Sequence, residues 1–357
     1  MIYLDHQATT PLAPEAREAM LRWLGGPESD GFGNPHSPHR LGRIAHAAVE
    51  VAREQVAGLF PPGGRVIFTS GATEALNLAI RGLSGGGPMA YSAIEHAAVG
   101  ETVRAVGPSH ELAVTGEGIC EADQPLPEGT RLVAAMQVNN EIGTVQPIAE
   151  WAERARAAGA LLLNDAVQAF GKLPVAEGDM IAVSAHKLYG PKGVGALWLR
   201  DGVALDCVST GGRQEGDLRS GTLSPALVAG FGAAAALAAA RMAEDAAHIE
   251  ALWARARELF AGWTLNGSAG RRWRGNLSLR REGLDVARLM SECRDIGFSA
   301  GSACASGSGR PSHVLRAIGL DAADAKASIR LGFGRYTTIS ALETAAEKLN
   351  LAALQQG

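Results

Sequence analysis

A chain of 357 residues with 46% hydrophobic and 20% charged residues holds enough apolar mass for a large core, which excludes global disorder. Lys and Arg number 33 against 37 Asp and Glu, so the formal charge of −4 supplies no basic field for nucleic acid or for an anionic membrane surface. The four cysteines, Cys120, Cys207, Cys293 and Cys304, are far apart with no Cys-x-x-Cys pair, which excludes a disulfide framework and a standard zinc cluster. The start, Met-Ile-Tyr-Leu-Asp-His, has neither the basic region nor the apolar stretch of a secretory signal. The expectation is a cytoplasmic protein with reduced thiols.

In chain order, a helix is expected near 40–60, then a short β-type run Val66-Ile67-Phe68-Thr69 and a helix over about 72–83, whose apolar face is Leu76, Ala79, Ile80 and Leu83. A helix near 95–106 precedes a strand at Leu132–Met136. A helix at 148–158 precedes strands at Leu161–Leu163, Ile181–Val183 and Ala196–Leu199. Strands that are apolar throughout and separated by helices indicate a mainly parallel sheet covered on both faces. Residues 220–240 carry no charge but are mostly alanine with Pro225 and three glycines, which reads as a buried core helix rather than a membrane span. The texture then changes to a smaller α+β unit, with strands near 275–280 and 328–333 and helices near 284–296, 311–318 and 338–352. The helical junction near 240–262 predicts two firmly packed units.

Ligands of parallel α/β sheets gather at the carboxyl ends of the strands, so the polar residues after each strand are the candidates. Ser70-Gly71-Ala72-Thr73-Glu74 leads from a strand into a helix, a setting that suits phosphate and equally an ordinary capping box. Asn164-Asp165-Ala166-Val167-Gln168 follows a second strand, where an Asp serves a turn as readily as a ligand. Ser184-Ala185-His186-Lys187-Leu188-Tyr189-Gly190 follows a third. A lysine among small residues after a buried strand suits a Schiff-base lysine. Lysine, acid and phosphate cradle together are the minimum set for pyridoxal phosphate. Cys304 stands in Ser299–Gly309, a stretch otherwise made only of Gly, Ala and Ser, which marks an accessible, reactive thiol. Cys120, Cys207 and Cys293 have no such context. His36, His39 and His46 match no metal-ligand spacing, and Arg271-Arg272-Trp273-Arg274 reads as a solvated turn.

Taken together these segments resemble the cysteine desulfurases of the fold-type I, class V aminotransferase group. The matching stretches run in order from Leu4-Asp5 with Ala8–Pro11, through Phe68–Glu74, Glu95-His96, Val138–Gly143, Asp165–Gln168, Ser184–Lys187 and Arg219–Thr222. They end with Gly301–Cys304, Pro311–Arg316 and Ser328–Arg330. Gly-Ser-Ala-Cys at 301–304 is similar to the type I branch that feeds iron–sulfur cluster assembly. The other branch, which includes selenocysteine lyases, carries a His where Ala303 stands.

The resemblance implies an α/β fold. A large pyridoxal-phosphate domain with a mainly parallel seven-stranded sheet would span 15–240. A small domain, residues 1–14 and 241–357, would carry a mobile cysteine loop at about 298–310. It further implies that Lys187 holds the cofactor aldehyde and moves the substrate proton, that Asp165 pairs with the pyridine nitrogen and Gln168 with the phenolic oxygen, and that His96 stacks on the ring and shares in catalysis. Asn140 would touch cofactor or substrate. Ala72, Thr73, Ser184 and His186 would hold the phosphate, with Thr222 reaching in from a second subunit of a homodimer. Arg330 would clamp the carboxylate of L-cysteine, and Cys304 would take the sulfur as a persulfide for an acceptor protein. No stable metal site is implied, although Cys304 would be able to ligate an iron–sulfur cluster transiently.

Arg213, Gly216 and Asp217 depart from the family's usual Gly-Gly-Gly-x-Glu-Arg-Gly, as do His6, Gln7 and Val167 from its commoner residues. The readings that compete with a desulfurase are a related class V lyase or aminotransferase that uses Lys187 without Cys304, and a catalytically weak partner-binding scaffold.

Overall fold

The computed structural model describes residues 1–83, 86–301 and 311–356. It begins with β1 (Ile2–Tyr3), α1 (Pro14–Leu21) and α2 (Arg40–Ala57). Then come β2 (Gly64–Thr69), α3 (Ala72–Gly82), β3 (Met89–Ser92), α4 (Ala97–Val106) and β4 (Ser109–Leu112). Next are β5 (Leu132–Met136), α5 (Ile148–Ala157), β6 (Leu161–Asp165), β7 (Met180–Ser184), β8 (Gly195–Arg200) and the long α6 (Pro225–Leu259). The remainder is β9 (Thr264–Leu265), β10 (Asn276–Arg280), α7 (Val286–Glu292), β11 (Ile296–Gly297), β12 (Ser299–Ala300), α8 (His313–Ala317), α9 (Ala322–Lys326), β13 (Ser328–Gly332) and α10 (Ile339–Leu354).

Seven strands form the main sheet in the order β2-β8-β7-β6-β5-β3-β4. All run parallel except β8, which is antiparallel to both neighbours. The sheet is covered on both faces, and alternate residues sort accordingly. Ile181, Val183 and Trp198 join a core with Phe68, Phe170 and Phe231. Met180, Ala182 and Leu197 join another with Leu76, Ala79 and Leu163. That is the period-2 alternation of a strand buried on both sides. The apolar runs foretold five of the seven strands. Met89–Ser92 and Ser109–Leu112 were not foreseen, because two four-residue strands, the second reading Ser-His-Glu-Leu, carry little hydrophobic signal.

An antiparallel four-stranded sheet, β12-β13-β10-β9, and a two-stranded parallel pair, β1-β11, belong to a second core with α7, α10 and the C-terminal half of α6. The 35-residue α6 serves both cores, with Phe231, Ala234 and Ala238 in the first and Leu252, Trp253 and Ala256 in the second. Its Ala-rich half packs on α1 and α2. Gly232 lies against Ala52, where an added Cβ would meet the Ala52 Cα at 2.7 Å, so small residues are what allow the two helices to approach. Among the described residues α6 is the one helix long and apolar enough to cross a membrane, and here it is built into the core.

The turn at 271–274 corrects an expectation. Arg271 is exposed, but Arg272 and Trp273 are buried. The Arg272 guanidinium donates to the carbonyls of Asn266, Ser268 and Asn276 and lies over the Trp253 ring. Burial, with Arg257 nearby, holds it down to about 9. Backbone acceptors and an aromatic face replace the missing carboxylate, a substitution that a local charge count does not reveal.

Candidate active site

The loops after β2, β3, β5, β6 and β7 converge at the strands' carboxyl ends on a cavity of about 800 Å³. Its lining includes Ala72, Thr73, His96, Asn140, Asp165 and Gln168, with Ser184, His186, Lys187 and Arg330. Thr222 is exposed and is not part of this lining. Cys304 lies outside the described residues.

Lys187 ends a single 3₁₀ turn (Ala185–Lys187) directly after β7. Its Nζ donates to the carbonyls of Gln7 at 2.5 Å and Ala8 at 2.8 Å, so the N-terminal segment aims the amine. Two residues on, Tyr189 has φ of 66°, a left-handed conformation that costs a non-glycine residue energy. It is held there by Thr10 Oγ1, which accepts from its N–H, by Ala13 N–H donating to its carbonyl, and by its own hydroxyl accepting from Arg335 N–H. The bend that presents Lys187 is thus maintained by residues 10–13 and 335.

Asp165, the last residue of β6, is buried, and its Oδ1 accepts from Val167 N–H at 3.0 Å. Burial pushes its carboxyl up, opposed by His96, the Val167 N–H and Lys187. Glu95 is more extreme. Its Oε1 accepts from Met136 N–H at 2.6 Å, its Oε2 is buried with no partner, and burial followed by repulsion from Asp165 pushes it well above the carboxylate range. Burial thus shifts both neighbouring carboxyls up; at Glu95 repulsion from Asp165 adds to the shift, whereas at Asp165 His96 and Lys187 oppose it.

α3 opens with Gly71 as N-cap and no side-chain cap, so the alternative of a Ser/Thr capping box is not what forms. Ser70 N–H is instead taken by Glu74 Oε2, and Glu74 Oε1 accepts from Arg219 at 2.9 Å. Burial pushes Glu74 up, but Arg219 and the Ser70 donors outweigh it and hold the carboxyl below its usual range. The helix start, with its orphan N–H groups, faces the cavity. Close by, Gly195 on β8 packs on Gly71; a Cβ there would lie 2.8 Å from Gly71 Cα, so only glycine lets the strand sit this close to the cradle. His186 shares a hydrogen bond between its Nδ1 and Thr9 Oγ1, and burial plus the cations Lys187, Lys192 and Lys172 bring its pKa down to about 4. At neutral pH it is an uncharged imidazole.

Arg330, on β13 of the four-stranded sheet, reaches the cavity. Its guanidinium pairs with Asp5 at 2.8 Å and donates to Ser299 Oγ and the Asn140 carbonyl, while its buried Nε has no partner. The motif match named Asp5 without a role; its pairing with Arg330 spans 325 positions, and no local pattern signals it. Glu215 was likewise missed. Buried in the loop that contains the departures, it accepts from Phe68 N–H and from Arg53 at 2.7 and 2.8 Å, fastening that loop to β2 and α2. Arg213 and Asp217 form an exposed pair at 3.1 Å beside it, so they leave that anchor intact.

These residues fit pyridoxal phosphate. The cavity combines an unpartnered guanidinium nitrogen, a buried carboxylate with a single hydrogen-bond donor, a lysine amine and an uncapped helix start. Those suit a carboxylate-bearing substrate, a ring cation, an aldehyde and a phosphate.

Comparison with known proteins agrees with the geometry. The profile of the aminotransferase class-V family matches residues 2–344, and the chain belongs to that family. Within it the chain is similar to the cysteine desulfurase IscS of Shewanella loihica (strain ATCC BAA-1088 / PV-4), 39% identical with 98% of this chain and 91% of that protein covered. The cysteine desulfurase IscS of Rickettsia rickettsii (strain Iowa) is 38% identical, with 94% and 87% covered. Among solved structures, a NifS-like protein superposes with a TM-score of 0.89 at 29% identity and 98% coverage of both chains. SspA in complex with cysteine superposes with a TM-score of 0.81 at 33% identity, covering 95% of this chain and all of that one. The fold is that of the NifS-like, fold-type I enzymes, and the chain falls among the cysteine desulfurases, a group that is generally dependent on pyridoxal phosphate.

Proposed function

We propose that the chain is a homodimeric cysteine desulfurase that converts L-cysteine to L-alanine and loads the released sulfur onto Cys304 for delivery to an acceptor protein, in iron–sulfur cluster assembly or another sulfur-delivery pathway. The observation that carries the reading is that one cavity gathers Lys187, the buried Asp165, an open helix start and Arg330. Similarity to a protein solved in complex with cysteine supports the substrate.

When bound, pyridoxal phosphate supplies an electron sink for the bonds around the substrate Cα. Asp165 would meet its ring nitrogen and Gln168 its phenolic oxygen. His96 would cover the ring, and the Ala72 and Thr73 N–H groups with Ser184 and His186 would hold the phosphate. A neutral His186 accepts or donates one hydrogen bond without adding charge. Lys187, aimed by the Gln7 and Ala8 carbonyls, takes the proton from the substrate Cα and returns one to product carbon. Arg330 and Asn140 orient the substrate carboxylate, so the thiol is presented on one side. The Cys304 thiolate attacks the substrate sulfur. A new S–S bond forms, the electron pair of the C–S bond stays with the substrate carbon, and protonation there yields alanine. Thr222, exposed on its loop, suits service to a second subunit's phosphate cradle. Among the described residues, Cys120, Cys207 and Cys293 are free thiols.

The test is to give the loaded protein L-cysteine with a reductant and assay sulfide and alanine in wild type and Cys304→Ala. Both products from wild type and neither from the variant is the expected result. Alanine released undiminished by the variant would contradict the role of Cys304.

A further inference from the structure

Lys172 follows Asp165 on the helical turn after β6, four residues beyond Gln168. Its Nζ donates to Gln168 Oε1 at 3.3 Å and lies 4.6 Å from the centre of the Trp273 ring. No carboxylate lies within 4 Å of it among the described residues. It borders a small void of about 30 Å³ behind the main cavity, shared with His6, Tyr189, Asp245 and Arg335. Asp245 is committed to Arg335, so it does not balance Lys172, and His6 is held to about 4 by burial, with Lys172 adding to the effect. Burial and the neighbouring Lys187 bring Lys172 itself down to about 7. Sequestering an ammonium with only an amide oxygen and an aromatic face for company is costly. The arrangement nevertheless does something definite to Gln168. With Oε1 taken by the lysine and Nε2 donating to the Gln7 carbonyl at 3.0 Å, the amide has one orientation. The same Gln7 carbonyl accepts from Lys187.

We propose that Lys172 is a positioning residue for the desulfurase reaction, which fixes the Gln168 amide from behind and lends positive charge to the cavity edge that would face the cofactor's phenolic oxygen. This rests on the reading of Gln168 given under the proposed function. A cation behind an amide oxygen polarises that amide, making its N–H a stronger donor. With pyridoxal phosphate bound, the same charge would disfavour a further proton at the Lys187 nitrogen.

The experiment is a pH titration of the visible absorption of the protein loaded with pyridoxal phosphate, alongside the dissociation constant of the cofactor, in wild type and Lys172 variants. Lys172→Met removes charge and hydrogen bond. Lys172→Gln keeps a donor without charge, and carries the test alone if the Met variant does not fold. Lys172→Arg keeps the charge. Loss of the charge should raise the midpoint of the spectral change by about 0.5–1 unit in both neutral variants, with Lys172→Arg restoring the wild-type midpoint. A purely structural lysine predicts none of this: natively folded neutral variants that keep the wild-type midpoint would overturn the proposal. A wild-type protein that shows no cofactor band would instead overturn the underlying reading of the site.

Discussion

Asp165, Ser184 and Lys187 stand at the ends of two adjacent strands that are buried nearly along their length, whereas Asp5, Ser299 and Arg330 meet from three distant stretches of chain. The floor of the cavity is thus an extension of the core around the seven-stranded sheet, fixed by the same packing that makes the sheet. Its rim is a polar clasp between the N-terminal segment and the four-stranded sheet. Floor residues should therefore govern the chemical steps with little effect on the fold. Rim residues should govern substrate capture and the coupling of the two units.

The largest expected effect lies on the floor. Lys187→Ala removes the group that moves the proton, and alanine production should fall by about 10³-fold or more, with the melting temperature near that of wild type. If activity survived while stability collapsed, the floor would be structural and the division wrong. On the rim, Arg330→Lys loses the bidentate fork, so KM for L-cysteine should rise by about 10- to 100-fold with a smaller change in kcat. An unchanged KM with a reduced kcat would move Arg330 from capture to chemistry.

His6, beside Asp5 in the N-terminal segment, sharpens the contrast because folding changes its proton affinity. Its Nδ1 faces the Gly332 carbonyl, its buried Nε2 has no partner, and its pKa falls from 6.5 to about 4, mainly by burial. The folded state therefore resists a proton that the unfolded chain accepts. Stability is full above about pH 6.5 and is lost as the pH drops toward 4, by at most about 3 kcal/mol from this residue. His6→Asn should flatten the denaturant midpoint against pH between 6.5 and 4, and an unaltered slope would show that His6 does not drive it. The smallest effect is expected at Glu95. Since burial and Asp165 push its carboxyl well above the carboxylate range and disfavour the charged form, Glu95→Gln should change the rate by less than about threefold, and a larger loss in a steady-state assay would mean that a charged Glu95 takes part.

The same division explains what was legible in the sequence. Asp165 and Lys187 each follow a run of apolar residues, so strand ends, and with them the floor, could be read locally. The motif order then assembled Ala72, His96, Asn140, Gln168 and Arg330 into one site. Partnerships across the chain were not readable. Glu215 with Arg53, Asp5 with Arg330, and Lys172 with Trp273 join residues whose neighbours in sequence say nothing of each other. The buried Arg272 misled for a related reason: charge density along the chain suggests solvent, while the backbone carbonyls that satisfy it become visible only in three dimensions.

The central claim is that Lys187 and Cys304 act on the same substrate molecule. It is tested most directly by mapping sulfur after a single turnover with L-cysteine in the absence of reductant. Mass analysis should find one added sulfur atom on the peptide that contains Cys304, matched by an equal amount of alanine, and Lys187→Ala should leave that peptide unmodified. Alanine formed with the Cys304 peptide unchanged, or with the sulfur on exposed Cys207 instead, would contradict the account.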